Sequence, residues 1–171
     1  SRGLVGSEMC IRDRNEVDLI IDSMNSLTNE KNLTIKNIIG EDDILISDKQ
    51  SFRDILINLL NNAVKYSKKN SEIIISAMNA KDHLTVHIKD HGLGIEKTNI
   101  KRIFDRFYRT PSARANTKGT GLGLALVKQL VNRVNGKVSV QSKIGKGSTF
   151  FIKFPHKLSL IHISEPTRPR L

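Results

Sequence analysis

The chain has 171 residues with a formal net charge of +11, 38% hydrophobic and 26% charged residues, and a single cysteine, Cys10. That length suits one domain around one core, and a lone cysteine excludes a disulfide framework or a thiolate metal site. No apolar run approaches the roughly 20 residues that span a bilayer, so the chain reads as not membrane-inserted.

In chain order, Val17 to Ser26 places Val17, Ile20, Ile21 and Met24 at helical intervals. Leu33 to Ile38 and Ile44 to Ile46 read as short strands, and Asp48 is a plausible cap for a helix over Phe52 to Ser67. That helix carries Ile55, Leu56, Leu59, Leu60 and Ala63 as a stripe to bury. Glu72 to Ala77 and Leu84 to Asp90 form an antiparallel pair around a polar turn at Ala80 to Asp82, with Thr85, His87 and Lys89 alternating against Leu84, Val86 and Ile88. Glu96 to Lys118 is long, polar and irregular, the mark of a functional loop. Leu122 to Val134 returns to helical spacing and stops at Asn135-Gly136, and Lys137 to Gln141 and Thr149 to Phe154 follow as two strands. The order predicts a two-layer α/β sandwich, a mixed and mainly antiparallel sheet covered on one face by helices.

Both ends are expected to lie outside the fold. Leu4 to Arg14 (LVGSEMCIRDR) and Leu158 to Arg168 (LSLIHISEPTR) can be encoded by one DNA stretch and its reverse complement, which resembles a transposon-style sequencing adapter at both edges of a read. The expected organisation is therefore residues 1–14 and 158–171 as artefact and residues 15–157 as one domain of a longer parent chain.

Four motifs fall in order inside that domain: NLLNNAVKY from Asn58 to Tyr66, DHGLGI from Asp90 to Ile95, GTGLGLA from Gly119 to Ala125, and GKGSTF from Gly145 to Phe150. Asn58 and Asn62 are four apart on one helix and share a face, with Lys65 beside Asn62. An amide oxygen is a suitable hard ligand for Mg²⁺. Asp90 ends a strand, where its carboxylate could accept a hydrogen bond from the exocyclic amine of adenine, and Gly92 and Gly94 allow the backbone to come close to the base. Gly119, Gly121 and Gly123 open a helix whose free N–H groups make a phosphate site. The run lacks the lysine of a P-loop and the third glycine position of a dinucleotide fingerprint. A plain hairpin turn explains Gly145 and Gly147 at least as well as ligand contact does.

At these residues the chain resembles the ATP-binding domain of sensor histidine kinases, within the wider group of gyrase, heat-shock chaperone and mismatch-repair ATPases that share the Bergerat fold. Ile103 to Arg109 (IFDRFYR) resembles the phenylalanine box of histidine kinases. The resemblance implies ATP and Mg²⁺ as cofactors, Asn62 as the metal ligand, Asn58 as a polar neighbour, Lys65 as a phosphate partner and Tyr66 as a nucleoside contact. It extends the nucleotide contacts to Ile95, Phe107, Thr120, Leu122 and Leu124 beside the glycines. It also implies a mobile basic lid of Lys101, Arg102, Arg106, Arg109, Arg114 and Lys118 against one acid, Asp105, with Arg109 first and Arg106 second as the catalytic cations, joined by Lys65 from the helix.

Hydrolytic members of the group, and several serine kinases, carry a glutamate base where this chain has Asn58. A site without a base of its own matches a histidine kinase, whose nucleophile is an imidazole brought by another domain. None of the five histidines, His83, His87, His91, His156 and His162, sits in a phosphoacceptor context of histidine, acid and nearby proline. His83 and His87 are expected to decorate a strand surface, and Asn61 and His91 to be exposed. The implied partners are the phosphoacceptor and dimerisation domain of the parent and a downstream response regulator. The chain alone is expected to be a monomer, the parent a homodimer, and the domain to face the cytoplasm, in a parent that could be an inner-membrane sensor of a bacterial two-component system. The alternatives are an ATPase or protein-serine kinase of the same superfamily, a pseudo-kinase that binds a partner in place of ATP, or a basic nucleic-acid-binding module drawn to phosphate backbones by net charge. The absence of any nucleic-acid recognition signature argues against the last.

Overall fold

The computed structural model describes residues 13–40 and 48–156. The expected strand at Ile44 to Ile46 and nearly all of both suspect ends lie outside the described residues. The elements are helix α1 (Asp13–Asp22), α2 (Asn25–Lys31), strand β1 (Thr34–Asn37), α3 (Lys49–Tyr66), β2 (Glu72–Asn79), β3 (His83–Lys89), α4 (Lys97–Ile100), α5 (Pro111–Asn116), α6 (Gly123–Arg133), β4 (Lys137–Lys143) and β5 (Gly147–Pro155).

The strands form one five-stranded sheet in the order β1-β2-β3-β5-β4. β1 runs parallel to β2 and every other neighbour is antiparallel, which is the mixed sheet expected. Period-two alternation sends Ile73, Ile75, Leu84, Val86, Ile88, Phe150, Ile152 and Phe154 to the helical layer, all buried. On the open face His87 lies half-buried, edge-on to Phe151 with ring centroids 4.8 Å apart. His83, also half-buried, meets Asp82 at 2.6 Å. No helix among the described residues is long and apolar enough to cross a membrane.

Helix α3 is the axis of the helical layer. Asp48 caps it, its side chain accepting from the Ser51 N–H at 3.0 Å. Phe52, Ile55, Leu56, Leu59, Leu60, Ala63 and Val64 are all buried on one stripe, with the Phe52 ring 5.8 Å from that of Phe154. The same helix turns Asn58, Asn62 and Lys65 away from that stripe. Helix α6 buries Val127, Leu130 and Val131, and ends where Asn135 takes a left-handed conformation (φ 60°) and the Gly136 N–H reaches the Val131 carbonyl at 2.9 Å. Glu16 on α1 is buried against Arg53 of α3, with Lys49 at 3.4 Å on its other oxygen.

Two expectations need correction. The single helix over Val17 to Ser26 is broken into α1 and α2 at Ser23–Met24, where the Met24 N–H donates to the Ile21 carbonyl at 2.9 Å and the Ile20 carbonyl accepts from the Ser23 hydroxyl at 2.6 Å. The segment from Glu96 to Lys118 is not wholly irregular, since α4 and α5 form within it. Thr110 caps α5 by accepting from the Ala113 N–H at 3.1 Å, and Pro111 occupies the first turn.

Candidate functional site

The motifs converge on a cavity of about 280 Å³ between α3, the ends of β3 and β5, and the segment carrying α5. Helix α3 contributes Asn58, Asn62, Lys65 and Tyr66 to its wall. Asp90, Gly94 and Ile95 enter from the loop after β3, and Thr120, Gly121, Gly123 and Leu124 from the start of α6. Arg109 reaches the wall from the lid side.

Asp90 is the best-fixed polar group in the site. The register Ile88↔Phe150 and Lys89↔Thr149 carries the end of β3 alongside the start of β5. Asp90 then donates its N–H to the Ser148 carbonyl at 2.9 Å, and its Oδ1 accepts from the N–H groups of Gly92 at 3.0 Å and Ser148 at 3.2 Å. Asp90 as a residue is 6% exposed. Burial pushes its pKa above the ordinary aspartate value, and the two backbone donors oppose that. With Oδ1 held by backbone, Oδ2 is the oxygen left for a ligand donor.

Gly147 explains why the last motif matters to this carboxylate. Its φ is 119°, and a Cβ there would overlap the Asp90 carbonyl oxygen, so only glycine lets β5 approach Asp90 this closely. The Gly145–Gly147 pair forms the turn between β4 and β5, and through Gly147 that turn also shapes the site wall. Ser142, on β4, accepts from the Ile95 N–H at 2.7 Å and donates to the Gly147 carbonyl at 3.0 Å, with the Ser148 hydroxyl 2.7 Å away.

On α3 the Asn58 amide N–H donates to the Asp54 carbonyl at 2.8 Å, which leaves its oxygen directed at Gly123. Lys65 lies with Nζ 5.8 Å from the centre of the Tyr66 ring and packs so closely on Gly119 that a side chain there would collide with it. Arg109 is the lid cation in the cavity, and it is engaged: one guanidinium nitrogen donates to the Ala113 carbonyl at 3.0 Å, the Thr117 carbonyl at 2.7 Å and the Thr117 hydroxyl at 2.8 Å.

Several expected residues lie elsewhere. Gly92 is buried behind Asp90 against the Tyr66 carbonyl, and Gly119 stands outside the wall beside Lys65. Phe107 points away from the cavity, 71% exposed with φ 64°, its N–H donating to the Gly121 carbonyl at 2.9 Å. Leu122 is the exposed residue preceding α6 and, with Arg106, borders a separate shallow hollow that touches Asn58. Thr120 and Gly123 line both hollows, with Gly121 turning the chain between them at φ 77°.

Other residues line the cavity without having been singled out: Ser148, Phe150, Leu93, Ile103, Tyr108, Thr110, Ser112 and Ala113. Asn61, expected to be exposed, is exposed and yet borders the cavity mouth. His91 is half-buried, not exposed, with Nδ1 2.8 Å from the Glu72 carbonyl. Ser148 lies inside a motif already recognised and Tyr108 inside the phenylalanine box, so their positions were within reach. Ile103 opens that same box, and nothing local marked Ser112.

Fold and cavity together define a nucleotide-binding α/β sandwich of the Bergerat type. The chain belongs to the family described as "Histidine kinase-, DNA gyrase B-, and HSP90-like ATPase", whose family model matches residues 47–158. It is an ATP-binding domain of the sensor-histidine-kinase kind. It is 41% identical over 107 residues to "Sensor histidine kinase YvrG" of Bacillus subtilis (strain 168), covering 63% of this chain and 18% of that protein. It is 39% identical over 109 residues to "Sensor protein SrrB" of Staphylococcus aureus (strain NCTC 8325 / PS 47), covering 63% of this chain and 19% of that protein. The chain thus spans about a fifth of the length of these curated relatives. Among solved structures it is similar to ShkA full-length in complex with AMPPNP, with a TM-score of 0.75 and 26% identity over 85% of this chain and 30% of that one.

Proposed function

We propose that this domain binds Mg²⁺ and ATP in the cavity and transfers the γ-phosphoryl group to a histidine carried by a phosphoacceptor and dimerisation domain of the parent protein. One observation carries the reading: a buried carboxylate with one uncommitted oxygen shares a single cavity with an amide pair, a lysine and an arginine. Asp90 Oδ2 accepts from the adenine amine, and the Asn62 amide oxygen is the protein's ligand to Mg²⁺. Lys65 and Arg109 neutralise the phosphates, Arg109 by leaving its Thr117 and Ala113 acceptors, and Arg106 enters from the neighbouring hollow. Gly121 and Gly94 leave room where a side chain would strike backbone. Bound Mg²⁺ would neutralise phosphate charge and fix phosphate geometry.

The chain's own part is to bind, orient and neutralise, and the absence of a base supports that division. Asn58 stands where a carboxylate base would be needed, and no histidine among the described residues lines the cavity. The accepting imidazole therefore comes from another domain, and a response regulator takes the phosphoryl group afterwards. We place the domain on the cytoplasmic side of a parent homodimer, with the chain alone a monomer.

The test is calorimetric titration of the chain with the non-hydrolysable analogue AMPPNP, with and without Mg²⁺. Asp90→Asn and Asn62→Ala should each weaken binding by roughly tenfold or more, as the loss of a charge-assisted contact implies, and Asn62→Ala should also abolish the Mg²⁺ dependence. No binding by a folded wild type rejects the reading. Brisk ATP hydrolysis without an acceptor domain would reject the phosphotransfer half alone.

A further inference from the structure

Lys31 stands outside the cavity, at the end of α2, and none of the motifs includes it. Its ammonium donates to three carbonyls at the C-terminal end of α3: Val64 at 2.9 Å, Lys65 at 2.6 Å and Ser67 at 3.2 Å. Carbonyls of a last helical turn lack partners within the helix and sit at the negative end of its dipole, so a cation there both satisfies and orients them. The same residue's carbonyl accepts from the Asn70 N–H at 3.0 Å, and Asn32 ties its side chain to Asn70 at 2.7 Å. The α2–β1 turn thereby clamps the whole stretch in which α3 gives way to β2. Burial, reinforced by the Lys69 charge, lowers the pKa of Lys31, so desolvation opposes holding a charge at this place.

What the clamp holds is the residue pair facing the cavity. Lys65 and Tyr66 line the wall from the last turn of α3, and Ser67 pairs with Gly92 in an isolated bridge beside Asp90. We infer that Lys31 is a positioning residue for nucleotide binding: its three hydrogen bonds set the last turn of α3 so that Lys65 is aimed at the phosphates. The inference rests on the ATP-site reading above. A purely structural cap would lower the stability of the fold and leave the affinity of the folded protein alone. A positioning cap acts through Lys65, so its loss and the loss of Lys65 are not additive.

The experiment measures AMPPNP binding with Mg²⁺ for the whole chain, its Lys31→Met and Lys31→Arg variants, Lys65→Met, and the Lys31→Met/Lys65→Met pair, at a temperature where circular dichroism shows each folded. Lys31→Met should weaken binding roughly tenfold, the scale of one charge-assisted hydrogen bond, and by less than about twofold once Lys65 is already methionine. Lys31→Arg, which keeps charge and donors, should stay within about twofold of wild type. Should Lys31→Met fail to fold, Lys31→Gln, with one amide donor left, carries the same comparison. Unchanged affinity in a folded Lys31 variant overturns the inference, and so does an equal loss in both Lys65 backgrounds. Absence of binding by the wild type would instead overturn the site itself, and this inference with it.

Discussion

The Asp90 side of the cavity and its lid side are held together by different means. Asp90 and Asn62 stand on elements whose opposite faces are core: α3 buries Leu59, Leu60 and Ala63 next to Asn62, and β3 and β5 bury Ile88 and Phe150 next to Asp90. The lid, from Glu96 to Lys118, contributes Ile103 and Ala113 as its buried apolar residues, while Phe107 is exposed. Its order comes from single polar contacts: the Tyr108 hydroxyl donating to Asn99 at 2.9 Å, the Arg102 guanidinium 4.3 Å from the Tyr108 ring centre, the Thr110 cap, and Arg109 on Thr117. Regions with few buried apolar contacts open at low free energy and well-packed elements open only with the whole fold. A site of this design can keep the Asp90 carboxylate fixed while rearranging the Arg109 guanidinium.

The sharpest way to break that contrast is to damage the scaffold side. Leu60 is fully buried between α3 and the sheet, so Leu60→Ala should destabilise the fold by about 3–4 kcal/mol through lost burial and a residual cavity. Urea unfolding would show it as a lower midpoint with unchanged slope. Helix α3 and the sheet should be lost together, so that Asn62 and Asp90 lose their support at one midpoint. A biphasic curve in the variant, or a shift below about 1 kcal/mol, would mean that α3 is not the common support for both motifs.

Those scaffold features were also the legible ones. The stripe on α3, the alternation in β3, the Asp48 cap and the Asn135-Gly136 stop all follow from periodicity and short-range chemistry, and together with the strands at Glu72 to Ala77 and Thr149 to Phe154 they outline the scaffold that carries Asn62 and Asp90. The lid resisted reading because α4 and α5 are four and six residues long, too short for an apolar period to declare itself. The direction of Phe107 hangs on a left-handed residue and a contact to Gly121, neither of which leaves a mark on composition. Lys31 was illegible for another reason: it lies 34 residues from Lys65, and a hydrogen bond at that separation has no local signal. Ser142 is likewise separated by 47 residues from the Ile95 N–H it accepts.

A smaller effect sharpens the comparison within the scaffold. Glu16 fastens α1 to α3 through Arg53 and Lys49, and the hydrogen bond from Arg53, followed in effect by the lysine and the charges of both, holds its pKa below the ordinary 4.5 in spite of burial. A carboxylate whose folded pKa is depressed stabilises the fold fully above its unfolded value. That contribution fades as pH falls through the lower, folded value. Glu16→Gln should therefore cost about 2 kcal/mol near neutral pH, and the gap between variant and wild type should close on acidification below 4.5. Thermal unfolding at a series of pH values measures it. A gap independent of pH would mean that Glu16 acts through packing and not through its charge.

The smallest effect belongs to the lid and is the most discriminating. Thr110→Ala removes the acceptor for the Ala113 N–H at the start of α5 and leaves Pro111 to set the first turn alone. An N-cap of this kind contributes about 1 kcal/mol, but to a segment that shares little of the core. The expected result is faster hydrogen exchange at residues 113–117, with the global unfolding free energy changed by less than about 0.5 kcal/mol. Arg109 depends on the same helix for its acceptors, Ala113 and Thr117, so fraying α5 also frees the guanidinium. If the lid cation must be released before it can meet phosphate, Thr110→Ala binds AMPPNP with Mg²⁺ at least as tightly as wild type despite its looser lid. Weaker binding would instead mean that α5 holds Arg109 in its working position, and the contrast between a fixed side and a releasable side would fail at the residue on which it rests.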